Sequence, residues 1–220
     1  MKLYDAQPAP NPRRVRIFLA EKDIAMVPFA EHADLDPGSV QLVAVDMSKG
    51  AHRDSAALAR NPIGQIPVLE LDDGTCISES VAICRYFEGI HPTPALMGEG
   101  PVGQATVDMW NRRMELGLLG PVGIAWRNGD IVARMAPGRF RQNHDAREDA
   151  EIAARAFQAR MDTWLGEREF IAGDAYSIAD ITALCTLDFA SRLVNLAPDA
   201  GLAHLADWHA RVSARSSAAA

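Results

Sequence analysis

Two patterns of apolar and polar residues divide the chain. From Lys2 to about Ile90, short apolar runs alternate with stretches whose apolar positions recur at helical spacing, the pattern of helices covering a sheet. That spacing predicts strands at Lys2–Tyr4, Gln41–Val45, Val68–Leu71 and Thr75–Ser78, and helices over Pro12–Lys22, around Ser55–Arg60 and over Glu79–Phe87. Asp72-Asp73-Gly74 parts the last two strands and reads as a hairpin turn, because Gly accepts the positive φ such a turn requires. Gly89 to Gly103 is rich in Pro and Gly, has no period and marks a boundary. Beyond it every periodic stretch reads as helix: Val102–Leu119, Ile124–Met135, Arg147–Leu165, Ile178–Leu193 and Leu202–Val212. The expected organisation is an α/β domain over 1–88, a linker over 89–101 and an all-helical domain over 102–220. The small, polar tail Ser213–Ala220 is expected to fray.

Charge and cysteine content narrow the function. With 22 Lys and Arg against 29 Asp and Glu, the formal net charge is -7. This argues against a nucleic-acid partner, whose binders draw most of their affinity from clustered cations that release counterions. Arg13, Arg14 and Arg16 come nearest to a basic patch; beside Val15, Ile17 and Phe18 they read as the solvated face of a short helix. Met1–Pro10 carries no signal-peptide pattern and no apolar run reaches bilayer length, so a soluble cytoplasmic protein with no membrane partner is expected. Cys76, Cys84 and Cys185 are odd in number, form no Cys-x-x-Cys pair and lie in apolar segments, so reduced, buried thiols and no metal site are expected.

Three short segments carry candidate chemistry. In Ala9-Pro10-Asn11-Pro12, Asn11 is a preferred N-cap and Pro12 suits a first helical position, so a strand leads directly into a helix N-terminus. Unsatisfied N–H groups and positive partial charge at such an end stabilise a thiolate, although a cap alone needs no catalytic role. In Asn61-Pro62-Ile63-Gly64-Gln65-Ile66-Pro67-Val68-Leu69, Pro67 forces Ile66 into an extended conformation and suggests an open sheet edge able to pair with a short peptide. In Ser78-Glu79-Ser80-Val81-Ala82-Ile83, the Ser80 hydroxyl and helix N–H groups suit a carboxylate and Glu79 an ammonium, with plain helix capping as the structural alternative.

These segments within a βαβαββα reading, joined by Arg13-Arg14-Val15-Arg16-Ile17-Phe18-Leu19 and Asp46-Met47-Ser48-Lys49-Gly50-Ala51-His52, resemble the glutathione transferases, in particular their bacterial theta-like and nu-like cytosolic branches. The resemblance runs over nearly the whole chain. It implies a thioredoxin-like N-terminal domain with a helical-bundle C-terminal domain, glutathione as co-substrate, no metal, and a homodimer. It also implies that Ile66 pairs through its backbone with the cysteinyl unit, with Pro67 in cis, and that Glu79 and Ser80 hold the γ-glutamyl ammonium and carboxylate. His52 and Gln65 fall where theta-like members reach the glycyl end of the tripeptide; taken alone, His52 reads as a surface-loop histidine. Ser177-Ile178-Ala179-Asp180 matches the family's capping box, which gives Ser177 and Asp180 a structural role.

The sequence departs from the family in two places. Serine-type members carry a hydroxyl where this chain has Ala9, and Tyr4 reads as an ordinary strand residue. The nu-like pattern places an Asn two residues later, which makes the Asn11 amide the candidate thiolate donor. The second departure is the long segment Met26–Ser39, with His32, Asp34, Asp36, Pro37 and Gly38, read as a solvated loop rather than a metal site. The main functional reading is conjugation of glutathione to a small hydrophobic electrophile, with Asn111, Arg113 and Met114 in the second-substrate pocket and Trp110 in the core. Glutathione-dependent disulfide or peroxide reduction and non-catalytic ligand binding or regulation are the alternatives.

Overall fold

The computed structural model describes residues 1–29, 38–135, 138 and 140–220. Their contacts separate the chain into two units, 1–96 with the last two residues, and 97–218. The first unit runs β1 (Lys2–Asp5), α1 (Pro10–Glu21), β2 (Met26–Pro28), β3 (Val40–Ala44), a 3-10 turn (Ala51–Arg53), α2 (Ser55–Arg60), β4 (Val68–Glu70), β5 (Cys76–Ser78) and α3 (Ser80–Ile90). The five strands form one sheet in the order β2-β3-β1-β4-β5. β3 is parallel to β1 and β2, and β4 is antiparallel to β1 and β5.

Alternation along β1 buries Leu3 and Asp5 on one face. α1 packs against α3, and Val15, Ile17, Phe18 and Leu19 with Ile83, Cys84 and Phe87 are buried. Lys22 closes the far end of α1: its Nζ donates to the carbonyls of His91 at 2.7 Å and Pro94 at 2.6 Å and pairs with Glu88 at 2.7 Å. A buried ammonium is tolerable only with its donors engaged in this way.

Four expectations change. The Met26–Ser39 segment contains a strand, β2, too short and too near Pro28 to show alternation; His32, Asp34, Asp36 and Pro37 lie outside the described residues. Arg14 and Arg16 are not a solvated face but are buried, at 2% and 4% exposure. Arg14 precedes Ile17 and Phe18 by three and four residues and so shares their stripe. Arg16 Nη1 donates to the Asp5 carboxylate, and Arg14 Nη1 to the Ser80 hydroxyl at 3.1 Å. β4 is no sheet edge, since β1 and β5 flank it. The tail does not simply fray, because Ser216–Ala219 forms a 3-10 turn and buries Ser217.

The second unit is helical: α4 (Gly100–Met114), α5 (Gly120–Arg127), α6 (Asp130–Met135), α7 (His144–Leu165), α8 (Ile178–Phe189) and α9 (Ala203–Ser213). Here α4 packs on α8, and α7 on both α5 and α9. Predicted helices extend through two π turns, Glu115–Leu119 and Ala190–Val194, while Ile124–Met135 is broken between α5 and α6 at Asn128–Gly129. In the first π turn a side-chain carbon on Gly117 would overlap the Phe157 ring, so this approach of α7 requires glycine. No helix among the described residues is long and apolar enough to cross a membrane.

Asp180 ties three parts of this unit together. Its carboxyl accepts from the Ile171 N–H at 2.8 Å, the Ser177 N–H and hydroxyl at 3.0 Å each, and the Trp208 indole at 2.9 Å, while the Ser177 hydroxyl accepts from the Ala179 N–H at 3.3 Å. One carboxyl thus joins the start of α8, the turn before it and α9. Burial pushes the Asp180 carboxyl from 3.8 up to about 6, and its donors pull back against that rise. Asp180→Ala leaves three buried N–H groups unmatched and should cost about 3 kcal/mol or more in denaturant unfolding. Because the folded state holds the proton more tightly, this group's contribution to stability is full below about pH 4 and is lost as pH rises through about 6. The stability gap between the parent chain and Asp180→Asn should therefore narrow from pH 4.5 to pH 7; a widening gap would show that the carboxylate form is the one favoured by the fold.

Candidate functional site

Strand register brings the three candidate segments to one end of the sheet. Tyr4 of β1 lies opposite Val68 of β4, and Val68 opposite Ser78 of β5, so the exit of β1, the entry to β4 and the exit of β5 are neighbours. Asp5 faces Ala44 of β3, so the chain that continues to His52 leaves from the same end. In open α/β sheets ligands bind beyond the carboxyl ends of strands. Asn11, His52, Gln65, Ile66, Pro67, Glu79 and Ser80 all belong to chain leaving or entering this end.

Asn11 is not the N-cap. Ala9 holds that place with no side-chain cap, and Asn11 is the second residue of α1. Pro10 and Pro12 lack N–H groups, and the Arg13 N–H is bonded to the Ala9 carbonyl at 3.3 Å. The first turn of α1 therefore offers an anion not a cluster of N–H groups but one, that of Asn11. The half-buried Asn11 side-chain amide has no partner among the described residues, so both of its donors remain available.

Ile66 precedes β4, and the Ile66–Pro67 peptide bond is cis. Neither its N–H nor its carbonyl is bonded among the described residues, which leaves an extended peptide a donor and an acceptor. Asn61 shapes this approach, a role the sequence reading did not give it. Buried at 3% exposure, it donates from Nδ2 to the Gln65 carbonyl at 2.8 Å and accepts from the Ile63 N–H at 3.2 Å, and its own carbonyl accepts from the Gly64 N–H at 2.9 Å. Asn before Pro favours turn initiation, the signal that could have found it. His52 is buried, not on a surface loop, and lines a depression with Tyr4, Arg60, Gln65 and Ile66.

Glu79 is the backbone outlier of the site, with φ 70° and ψ 116°. Such a conformation costs a non-glycine residue about 1–3 kcal/mol and persists where the surroundings enforce it, often at ligand sites. Its exposed side chain has no partner among the described residues. Next to it, Ser80 is buried and opens α3, its hydroxyl held by Arg14. Arg14 is the second residue that the sequence reading missed.

Tyr4 cannot supply the hydroxyl absent at Ala9. Its hydroxyl donates to Glu70 at 2.7 Å, the Arg60 guanidinium lies 4.0 Å above its ring, and burial followed by the Glu70 bond pushes the phenol up to about 12. The half-buried Cys76 thiol is also raised by burial and by Glu70, which argues against a reactive thiolate there.

In the helical unit, Asn111 accepts from the Thr182 hydroxyl at 2.6 Å and is 1% exposed, and Met114 is fully buried. Both are occupied in core packing. Arg113 is exposed and stacks at 4.4 Å over Trp110, which is itself buried against Trp164. No group of His, Cys, Asp and Glu among the described residues is arranged to hold a metal.

Comparison with known proteins agrees with this architecture. The model of the glutathione S-transferase N-terminal domain matches residues 3–95 and that of the C-terminal domain residues 130–216. Glutathione S-transferase 2 of Saccharomyces cerevisiae is 36% identical over 217 residues, covering 99% of this chain and 87% of that protein. This chain belongs to the glutathione S-transferase family. The crystal structure of Gtt2 from the same yeast superposes with a TM-score of 0.87 at 36% identity, covering 99% of this chain and 98% of the other. A glutathione S-transferase domain-containing protein of Marinobacter aquaeolei VT8 gives 0.86 at 38% identity, covering 99% of each chain. A class Gtt2 glutathione S-transferase of Vibrio parahaemolyticus gives 0.79 at 32% identity, covering 99% and 94%. The thioredoxin-like first unit and helical second unit of this glutathione S-transferase are those of its family.

In this transferase the Asn61 bonds hold the turn that delivers Ile66. Asn61→Ala should lower stability by about 1–2 kcal/mol, since it strands the Gln65 carbonyl and the Ile63 N–H. Thermal unfolding measures the cost, and a melting temperature equal to the parent's would remove Asn61 from this role.

Proposed function

We propose that this glutathione S-transferase binds glutathione as the thiolate at the described end of its sheet and conjugates it to a small hydrophobic electrophile. The observation that carries the proposal is the set of unpaired groups gathered there: the main-chain donor and acceptor of Ile66, both amide donors of Asn11, and the Glu79 carboxylate. They are complementary in kind to a γ-linked tripeptide. The cysteinyl unit pairs with Ile66, the γ-glutamyl ammonium faces Glu79, and its carboxylate meets Ser80. His52 and Gln65 face the glycyl end.

The sulfur lies at the first turn of α1, where the Asn11 donors stabilise negative charge. The thiol proton passes to solvent, because an amide donates a hydrogen bond without accepting the proton. Sulfur then attacks the electrophilic carbon, an S–C bond forms, and the leaving group departs with the electron pair of the bond it gives up. The rate gain comes from a larger thiolate population and from holding the nucleophile in place. Arg113 is the exposed candidate for the electrophile, and assembly as a homodimer completes the reading.

Two variants test it against a chloronitrobenzene-type electrophile. Asn11→Ala removes a hydrogen bond to a charged sulfur, worth about 1.5–3 kcal/mol, so the bound thiol pKa should rise and kcat should fall about tenfold or more. Ultraviolet titration of the bound thiolate reads the pKa, and an unchanged value with unchanged turnover takes Asn11 out of the mechanism. Glu79→Gln removes the partner of the ammonium, so KM for glutathione should rise about tenfold with a smaller change in kcat. The same variants assayed with a mixed glutathione disulfide and an organic peroxide separate conjugation from reduction.

A further inference from the structure

The chain from Ala51 to Gln65 is built as one piece around α2. It begins with the 3-10 turn Ala51–Arg53 that carries His52, passes through α2 and ends in the Asn61 turn that carries Gln65. The Asp54 side chain accepts from the Ala57 N–H at 2.7 Å and joins the 3-10 turn to the helix. Gly64 brings the two ends together: at φ 65°, a side-chain carbon there would stand 3.1 Å from Leu58 Cδ2 and 3.3 Å from the His52 carbonyl oxygen. His52 and Gln65 therefore keep their places only as α2 keeps its own.

Packing holds α2 weakly. It has six residues, none of them buried, and Leu58 is 40% exposed. Isolated helices shorter than about 12 residues are marginal in water, so α2 depends on what it rests against. Toward the sheet it leaves a depression, lined by Tyr4, Val45, Ala57, Arg60 and Val68, in place of a closed apolar seam.

Arg60 reaches across to the sheet. Its guanidinium lies 4.0 Å from the centroid of the Tyr4 ring and bonds to no carboxylate among the described residues, so the ring is its seat. The ring is fixed in turn. Tyr4 belongs to the central strand, its hydroxyl donates to Glu70 at 2.7 Å, and Lys2 donates to the same carboxylate at 3.4 Å. One cation over one ring thus connects α2 to the middle of the sheet. Ile66 is held otherwise, through β4, whose Val68 lies opposite Tyr4 in the ladder.

We propose that Arg60, through its stack on Tyr4, is a positioning residue that sets the preference of this enzyme for glutathione over the same thiol peptide without its glycine, which rests on the placement of the glycyl end at His52 and Gln65. With the stack formed, both side chains stand ready for that end. Without it α2 leaves its position part of the time, and apparent affinity falls in proportion to the fraction of molecules that keep it. Saturating glutathione draws α2 back, so kcat is spared.

The test compares glutathione with γ-glutamylcysteine as the thiol substrate, at a fixed concentration of a chloronitrobenzene-type electrophile. Arg60 is half-buried on a short surface helix, so Arg60→Ala should fold. It should raise KM for glutathione about fivefold, with kcat and the KM for γ-glutamylcysteine within about twofold of the parent. Arg60→Lys should recover part of the loss, since an ammonium keeps the charge without the planar stack. Tyr4→Leu, which leaves the Arg60 charge in place, should raise KM for glutathione to a similar extent, and adding Arg60→Ala to it should change that KM less than about twofold. A parent chain with equal KM for the two thiols would overturn the glycyl-end placement and the proposal with it. A parent that prefers glutathione, beside an Arg60→Ala variant with the same preference, would overturn the role of Arg60 alone. So would a Tyr4→Leu variant with the parent's KM, because Arg60 would then act by its charge and not through the ring.

Discussion

The position of β1 in the middle of the sheet is the constraint on which the candidate site depends. It runs parallel to β3 and antiparallel to β4, so one end of the sheet collects two strand exits and one strand entry, and β4 adds the exit of β5. A one-residue slip between β1 and β4 would turn Leu3 out of the core and shift the entry to β4 against the exit of β1. The site is therefore a consequence of register, which the alternation of Leu3 and Asp5 and the burial of Val68 and Leu69 hold in place.

Register alone leaves the helices free to slide, and the buried arginines remove that freedom. Arg16 ties α1 to Asp5 on β1, and Arg14 ties α1 to Ser80 at the start of α3. A charge taken out of water is stable only where its partners are in place, and leaving one partner unmatched is costly. These contacts consequently specify one placement of α1 more sharply than apolar packing would, and they fix Asn11, three residues before Arg14, with it. In the helical unit Asp180 has the corresponding role, with one buried carboxyl serving donors from three parts of the chain.

Much of this was legible in the sequence, where local chemistry and tertiary structure agree. The hairpin at Asp72-Asp73-Gly74, α2 over Ser55–Arg60 and the capping Ser177 follow from turn and cap preferences that tertiary contacts do not override. The failures have physical causes. Read by composition, Arg14 and Arg16 suggest solvent; read by helical spacing, Arg14 belongs to the buried stripe, and spacing governs where a partner waits across 66 residues of sequence. Asn11 resembles a cap because Asn favours that place, yet Pro10 can open the helix, which moves the cap to Ala9. β2 is three residues long and ends in proline, too little for any period to show. The π turns leave no signature in a pattern that continues through them, although Gly117 marks the first by the closeness of Phe157.

The prolines around Asn11 also bear on the absence of a hydroxyl at position 9. An ordinary helix start presents several unsatisfied N–H groups to an anion. Here Pro10 and Pro12 remove two of them and the Arg13 N–H is used within the turn, so the local field is concentrated in the donors of a single residue. With the Tyr4 hydroxyl held by Glu70, the function proposed above leaves the sulfur to Asn11. On that proposal, stabilisation of a thiolate rests on amides, whose strength does not change with pH. Such a site raises the population of the nucleophile without acting as its base, and the ionisation that governs it belongs to the sulfur itself.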